Sequence, residues 1–268
     1  MIKKLKKFPS KIYMALIMLF LYLPIAVLII YSFNNGKTSV WKGFTFKWYA
    51  ELFNNEAIMN SLYNTLIIAV LAALISTVLG TAAAIGINNF KGIRRSLITN
   101  LSNVPIINPE IVTGVSFMLM FSFAGTMLGF EMGFGTVLLA HISFCAPYVI
   151  LNVMPKLRQM DPAIYEAALD LGCNPFSAFF KVVIPQILPG VLSGMLMSFT
   201  YSLDDFVITY FTRGSQFQTL PIEIYTMLRR RISPTINALS TLLFVVTLAL
   251  LIIVNIRDRK AESASVAE

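Results

Sequence analysis

Charge is scarce in this chain. Only 13% of its 268 residues are Asp, Glu, Lys or Arg and 57% are hydrophobic, whereas a soluble domain carries roughly 25% charged residues. With a mean hydropathy of +0.74, this excludes a soluble globular enzyme and a disordered regulator, and indicates a polytopic membrane protein. The length allows roughly five to seven spanning helices. Histidine is almost missing: His141 stands alone, inside an apolar run, which excludes a histidine-based metal cage. The two cysteines, Cys145 in an apolar run and Cys173 in a polar loop, lack metal-ligand spacing and are not expected to pair. His141 and Cys145, four residues apart, read as packing residues. The phosphate-binding loop G-x-x-x-x-G-K-[ST] is absent, and no catalytic constellation replaces it, so the chain does not read as an enzyme. The net charge of +8 comes from Lys and Arg at the ends of apolar runs. That is an orientation signal, not a nucleic-acid stripe.

Six apolar stretches are present, at about 11–33, 61–87, 101–123, 135–154, 186–211 and 236–255. Each can cross about 30 Å of hydrocarbon at about 1.5 Å per residue, and the third is interrupted by Pro105 and Pro109. The first follows five lysines. It is too long for a signal-peptide core and has no small-residue cleavage site after it, so it reads as an uncleaved anchor. Taking alternate segments, 14 Lys and Arg fall on the side of the N-terminus and the tail and 7 on the other. This bias predicts both termini in the cytoplasm, with Trp41–Asn60 and Arg213–Ser233 outside. The cluster Arg229–Arg231 runs against it locally. Trp41, Trp48 and Tyr49 in the first outside segment read as interface aromatics.

The segment from Pro155 to Pro185 is strongly punctuated. Asp161 is a good N-cap and Pro162 follows at the first helical position. A short helix is predicted to end at Gly172, where a positive φ is needed. Asn174 caps a second short helix that starts at Pro175 and is expected to stop at Pro185. Ile164, Ala167, Ala168 and Leu171 share one face. An apolar face on a loop requires a partner protein or a lipid surface. The pattern Glu166-Ala167-Ala168, three residues, Gly172, nine residues, Val182-Val183-Ile184-Pro185 resembles the EAA loop of binding-protein-dependent ABC importer permeases, with Val182 and Ile184 in place of Ile and Leu. The stretches Trp41 to Tyr49, Ser198 to Phe206 and Leu220 to Tyr225 are similar to the C-type permeases of the spermidine/putrescine importer family.

The resemblance implies an all-α membrane domain over 1–268, with six transmembrane helices, a permease core over about 61–256 and a cytoplasmic two-helix coupling loop at 155–185. It implies partners: a second, B-type permease, two copies of a cytoplasmic ATPase, an external polyamine-binding protein and the lipid of a bacterial inner membrane. No cofactor is expected in this chain, since ATP and magnesium would sit on the ATPase. In such permeases the loop docks into a groove on the ATPase. Ile164, Ala167, Ala168 and Leu171 would fill the groove, Glu166 would make polar contacts and Gly172 would form the corner. The same scaffold serves other small solutes. An ATP-independent carrier or channel is the rival from another class, and inverted repeats, its hallmark, are not seen.

Three acids fall inside the apolar stretches: Glu110, Asp204 and Asp205. Each costs roughly 2.5–3.5 kcal/mol on insertion scales, and no Lys or Arg lies mid-span to neutralise them. Acids without a basic partner suit a cation path, and Tyr201 beside them could add cation–π attraction. They could instead be structural, and neighbours about 100° apart on a helix cannot both face a pore centrally. Gly190, Gly194, Ser198 and Ser202, like Ala72, Ser76, Gly80 and Ala84, form rows of small residues suited to close helix packing.

Overall fold

The computed structural model describes residues 7–36, 40–230 and 234–248. They are helical almost throughout. The only β feature among them is an isolated antiparallel bridge, Asn34 to Phe44. The chain divides into two compact units, Met1–Met59 with Ile224–Glu268, and Asn60–Glu223.

In the first unit, α1 (Lys7–Ser32) is apolar on all sides and leads into a loop organised by Asn34. The Asn34 side chain accepts from the backbone N–H groups of Gly36 and Lys42 and donates to the carbonyl of Val40. The short helix α2 (Lys47–Phe53) follows. Trp48, expected at a lipid interface, is instead buried, and its indole N–H donates to the Asn34 carbonyl at 2.7 Å. That bond satisfies the ring's one donor and holds α2 against the loop. The apolar helix α11 is described over Pro234–Leu248. The remainder of the sixth expected span lies outside the described residues.

The second unit is built around α6 (Phe134–Gln159), with α3 (Glu56–Asn89), α4 (Gly92–Ile107), α5 (Glu110–Leu128) and α9 (Ile184–Asp204). Both small-residue rows meet α6. A methyl group added at Gly80 of α3 would lie 2.6 Å from Val149 Cβ, and one at Gly190 of α9 would lie 2.7 Å from the Asn152 carbonyl. Backbones approach this closely only without a side chain between them, which is how membrane helices gain packing energy when lipid is as apolar as they are. Ala84, Ile87, Val149, Val153, Leu157 and Ile187 form the apolar core of the contact.

Among the described residues, five helices are long and apolar enough to cross a membrane: Lys11–Ser32, Glu56–Asn89, Glu110–Leu128, Phe134–Gln159 and Pro175–Asp204. Four expected boundaries move. The third span starts at Glu110, because Asn108 is extended before Pro109, as the ring of a following proline favours. Pro105, by contrast, is absorbed within α4. The fifth span does not reach Phe211. It ends at Asp204, Asp205 is extended, and a separate short helix α10 (Val207–Thr212) follows. Nor does Pro185 stop the second loop helix. That helix, α8 (Pro175–Ala178), runs through a π-helical turn at Phe179–Val183 straight into α9. The wider turn accommodates a proline that has no N–H to donate and whose ring would crowd a regular helix. The loop itself starts later than Pro155, since α6 continues to Gln159.

Candidate functional site

Where α9 breaks, a cavity of about 300 Å³ opens among α4, α5, α6, α9 and α10. All four residues singled out for a cation path, Glu110, Tyr201, Asp204 and Asp205, line it, and its lining holds no Lys or Arg. Glu110 is the first residue of α5, following Pro109 as N-cap, and is exposed. Asp204 is the last residue of α9 and is exposed. Aromatic faces complete the wall. The rings of Tyr148 and Tyr201 stack with centroids 4.3 Å apart, and Phe144 and Phe206 stand beside them.

Asp205 differs from its neighbour. It is 9% exposed. Its carboxylate accepts from the backbone N–H of Ile208 at 3.3 Å and of Thr209 at 2.8 Å, capping α10, and from the Thr209 hydroxyl at 2.8 Å. His141 of α6 lies alongside, with Nε2 2.9 Å from Thr209 Oγ1 and 3.4 Å from Asp205 Oδ2, and Nδ1 2.6 Å from Ser202 Oγ. The histidine expected to be packing filler is therefore the hub of a buried polar network. Tyr148, Thr209 and Phe144 were likewise not singled out from sequence. For His141 a signal existed: it is the sole in-span imidazole, and a buried imidazole requires polar partners.

At the other end of α6 and α9 stands the loop around Gly172. Asp161 caps α7 (Pro162–Asp170), accepting from Ala163 N–H at 2.9 Å. Gly172 has φ +86°. The N–H of Gly172 bonds the Leu169 carbonyl and that of Cys173 the Ala168 carbonyl, the paired bonds of a Schellman C-cap. Asn174 Oδ1 then accepts from Ser177 N–H at 2.7 Å and caps α8. Ile164 is 47% exposed and Leu171 87%. Glu166 and Ala167 are exposed as well, and Ala168 is half-buried. Phe176 and Phe180, in ring contact at 4.8 Å, extend this exposed apolar face.

Residues 76–262 match the family described as binding-protein-dependent transport system inner membrane component. The chain belongs to this family. The permease is 35% identical over 90% of its length to the spermidine/putrescine transport system permease protein PotC of Escherichia coli (strain K12), and covers 90% of that protein. It is 40% identical over 84% of its length to the putrescine transport system permease protein PotI of the same organism, and covers 81% of it. In fold, the permease resembles a chain in the crystal structure of a bacterial ABC transporter involved in the import of the acidic polysaccharide alginate. The TM-score is 0.74 at 14% identity, with 94% of this chain and 96% of that one covered. The permease is thus a multi-pass membrane subunit of an ATP-driven importer, and not an enzyme.

Proposed function

We propose that this permease moves small polyamines, of the spermidine and putrescine kind, into the cytoplasm by alternating access. The observation that carries this reading is the cavity at the α9 break, which combines three carboxylates, stacked tyrosines and no basic side chain. A polyamine carries several positive charges near neutral pH, so it enters a low-dielectric path only where anions replace its water. Aromatic faces add cation–π attraction. An acidic polymer such as alginate would be repelled from this lining, although the two proteins share a fold, so the lining and not the fold discriminates between solutes. The relatives' polyamine names support the same solute class.

The rest of the assembly follows from the same reading. A second permease completes the pathway, an external binding protein delivers the solute, and two copies of an ATPase carry ATP and magnesium. Both termini face the cytoplasm, as does the loop around Gly172. Ile164, Ala167, Ala168 and Leu171 seat in the ATPase, and Glu166 adds a polar contact there. The test is uptake of labelled putrescine and spermidine by cells that depend on this permease, with ATPase co-purification measured in parallel. Saturable uptake of either amine is expected, and Glu166→Lys should weaken ATPase capture and lower uptake at an equal membrane level. A permease that captures the ATPase but takes up neither amine overturns the polyamine reading.

A further inference from the structure

The three acids of the cavity are not equivalent, and hydrogen-bond directions show why. Thr209 Oγ1 donates its one proton to Asp205 Oδ2 at 2.8 Å. That hydroxyl can therefore only accept from His141, so His141 Nε2 carries a proton and donates to it at 2.9 Å. The other ring nitrogen, Nδ1, lies 2.6 Å from the Ser202 hydroxyl. The network links Ser202, His141, Thr209 and Asp205, with the His141 to Thr209 to Asp205 part running one way. Together with the N–H groups of Ile208 and Thr209, it occupies most of the lone pairs of the Asp205 carboxylate, though that residue borders the cavity. Asp204 has no such network and is exposed, as is Glu110.

We propose that His141 is a positioning residue that sets how many carboxylates the cavity offers to a polycation. By donating to Thr209 and standing 3.4 Å from Asp205 Oδ2, it withdraws one acid from solute contact and leaves Asp204 and Glu110. An ammonium group leaving water requires acceptors with free lone pairs. Two free carboxylates match the two ammonium groups of a diamine. A triamine brings a third, and freeing Asp205 would supply its partner. The inference rests on the polyamine reading above and adds to it a determinant of diamine against triamine preference.

The experiment is competitive uptake of labelled putrescine and spermidine by the assembled transporter, at matched membrane levels and with the same binding protein throughout. Any change in ratio then reports the permease. His141→Leu removes both ring nitrogens. Thr209→Val removes the bridging hydroxyl while keeping the shape and the backbone cap, and it carries the test if the His141 variant fails to accumulate. Both should raise spermidine uptake relative to putrescine by about fivefold, the factor expected for one added contact ion pair in a water-filled cavity. His141→Gln, which can still donate toward Thr209, should keep the parent ratio. A fall in total uptake with an unchanged ratio in the Leu and Val variants would mean that His141 is merely structural and would overturn the positioning role alone. Failure of the unmodified transporter to take up either amine would overturn the polyamine reading, and this inference with it.

Discussion

The two ends of α9 invert each other. At the Asp204–Asp205 end, polar groups are turned inward, and His141, Ser202, Thr209 and Asp205 satisfy one another in a buried network. At the coupling end, apolar groups are turned outward, and Leu171, Phe176 and Phe180 stand in the open on a well-capped loop. Each arrangement is costly for a chain considered alone. The inward polar groups are stabilised within this chain by mutual hydrogen bonds. The outward apolar groups find no cover among the described residues, and such a face requires a partner protein or a lipid surface. A variant at the first end should therefore alter which solute passes, and one at the second should alter whether anything passes.

The sharpest break in this comparison is Gly172→Val. Its φ of +86° suits glycine, and nothing lies within 4 Å of an added Cβ, so the effect is conformational and not steric. Uptake of every solute should fall to background while the protein still inserts, as read by membrane level and uptake together. Next comes Asp204→Asn, which keeps the shape and removes a free charge. Loss of a charge-assisted contact predicts roughly ten- to hundredfold weaker polyamine uptake with ATPase association unchanged. Gly80→Ala forces a methyl against Val149, on the α3–α6 contact and away from both ends. It should destabilise the unit by about 1–3 kcal/mol, seen as a lower thermal midpoint in detergent, with the putrescine to spermidine ratio unmoved. Glu110→Gln should have the smallest effect, about threefold in uptake, because the helix N-terminus at Glu110 supplies positive potential that partly offsets its charge. Equal uptake by the Asp204 and Glu110 variants and the parent would make those carboxyls structural.

The coupling end was legible in sequence because its signals are local. Asp161 before Pro162, Gly172 and Asn174 before Pro175 each act within four residues, and each adopts the expected conformation. The cavity was legible in part. Acids in apolar runs stand out by their cost, and all three line it. What sequence did not reveal is their division of labour, since the partner that engages Asp205 is distant: His141 bonds Ser202 and Thr209 across 61 and 68 residues. The helix break was also concealed. No proline or glycine lies between Ser202 and Thr209, and the break exists because the Asp205 carboxylate caps α10 instead of riding on α9. Prolines misled in the opposite sense. Pro105 and Pro185 mark breaks by local rules, yet both lie within continuous helix, whereas Pro109 does end one.

The π-helical turn at Phe179–Val183 has a mechanical consequence. Because it carries α8 into α9 without a gap, Pro175–Asp204 is a continuous helical stretch of 30 residues, about 45 Å of path at about 1.5 Å per residue. One tip is the corner after Gly172 and the other is the edge of the acidic cavity. A rod of that length pivoting near one tip by about 10° swings the other by roughly 8 Å, more than the rise of a helical turn. On the coupling proposed above, a push at the loop would reach the cavity along one continuous helical stretch. A hinge inserted in that stretch, such as a pair of glycines at Leu192 and Ser193, would absorb the stroke while leaving both tips intact.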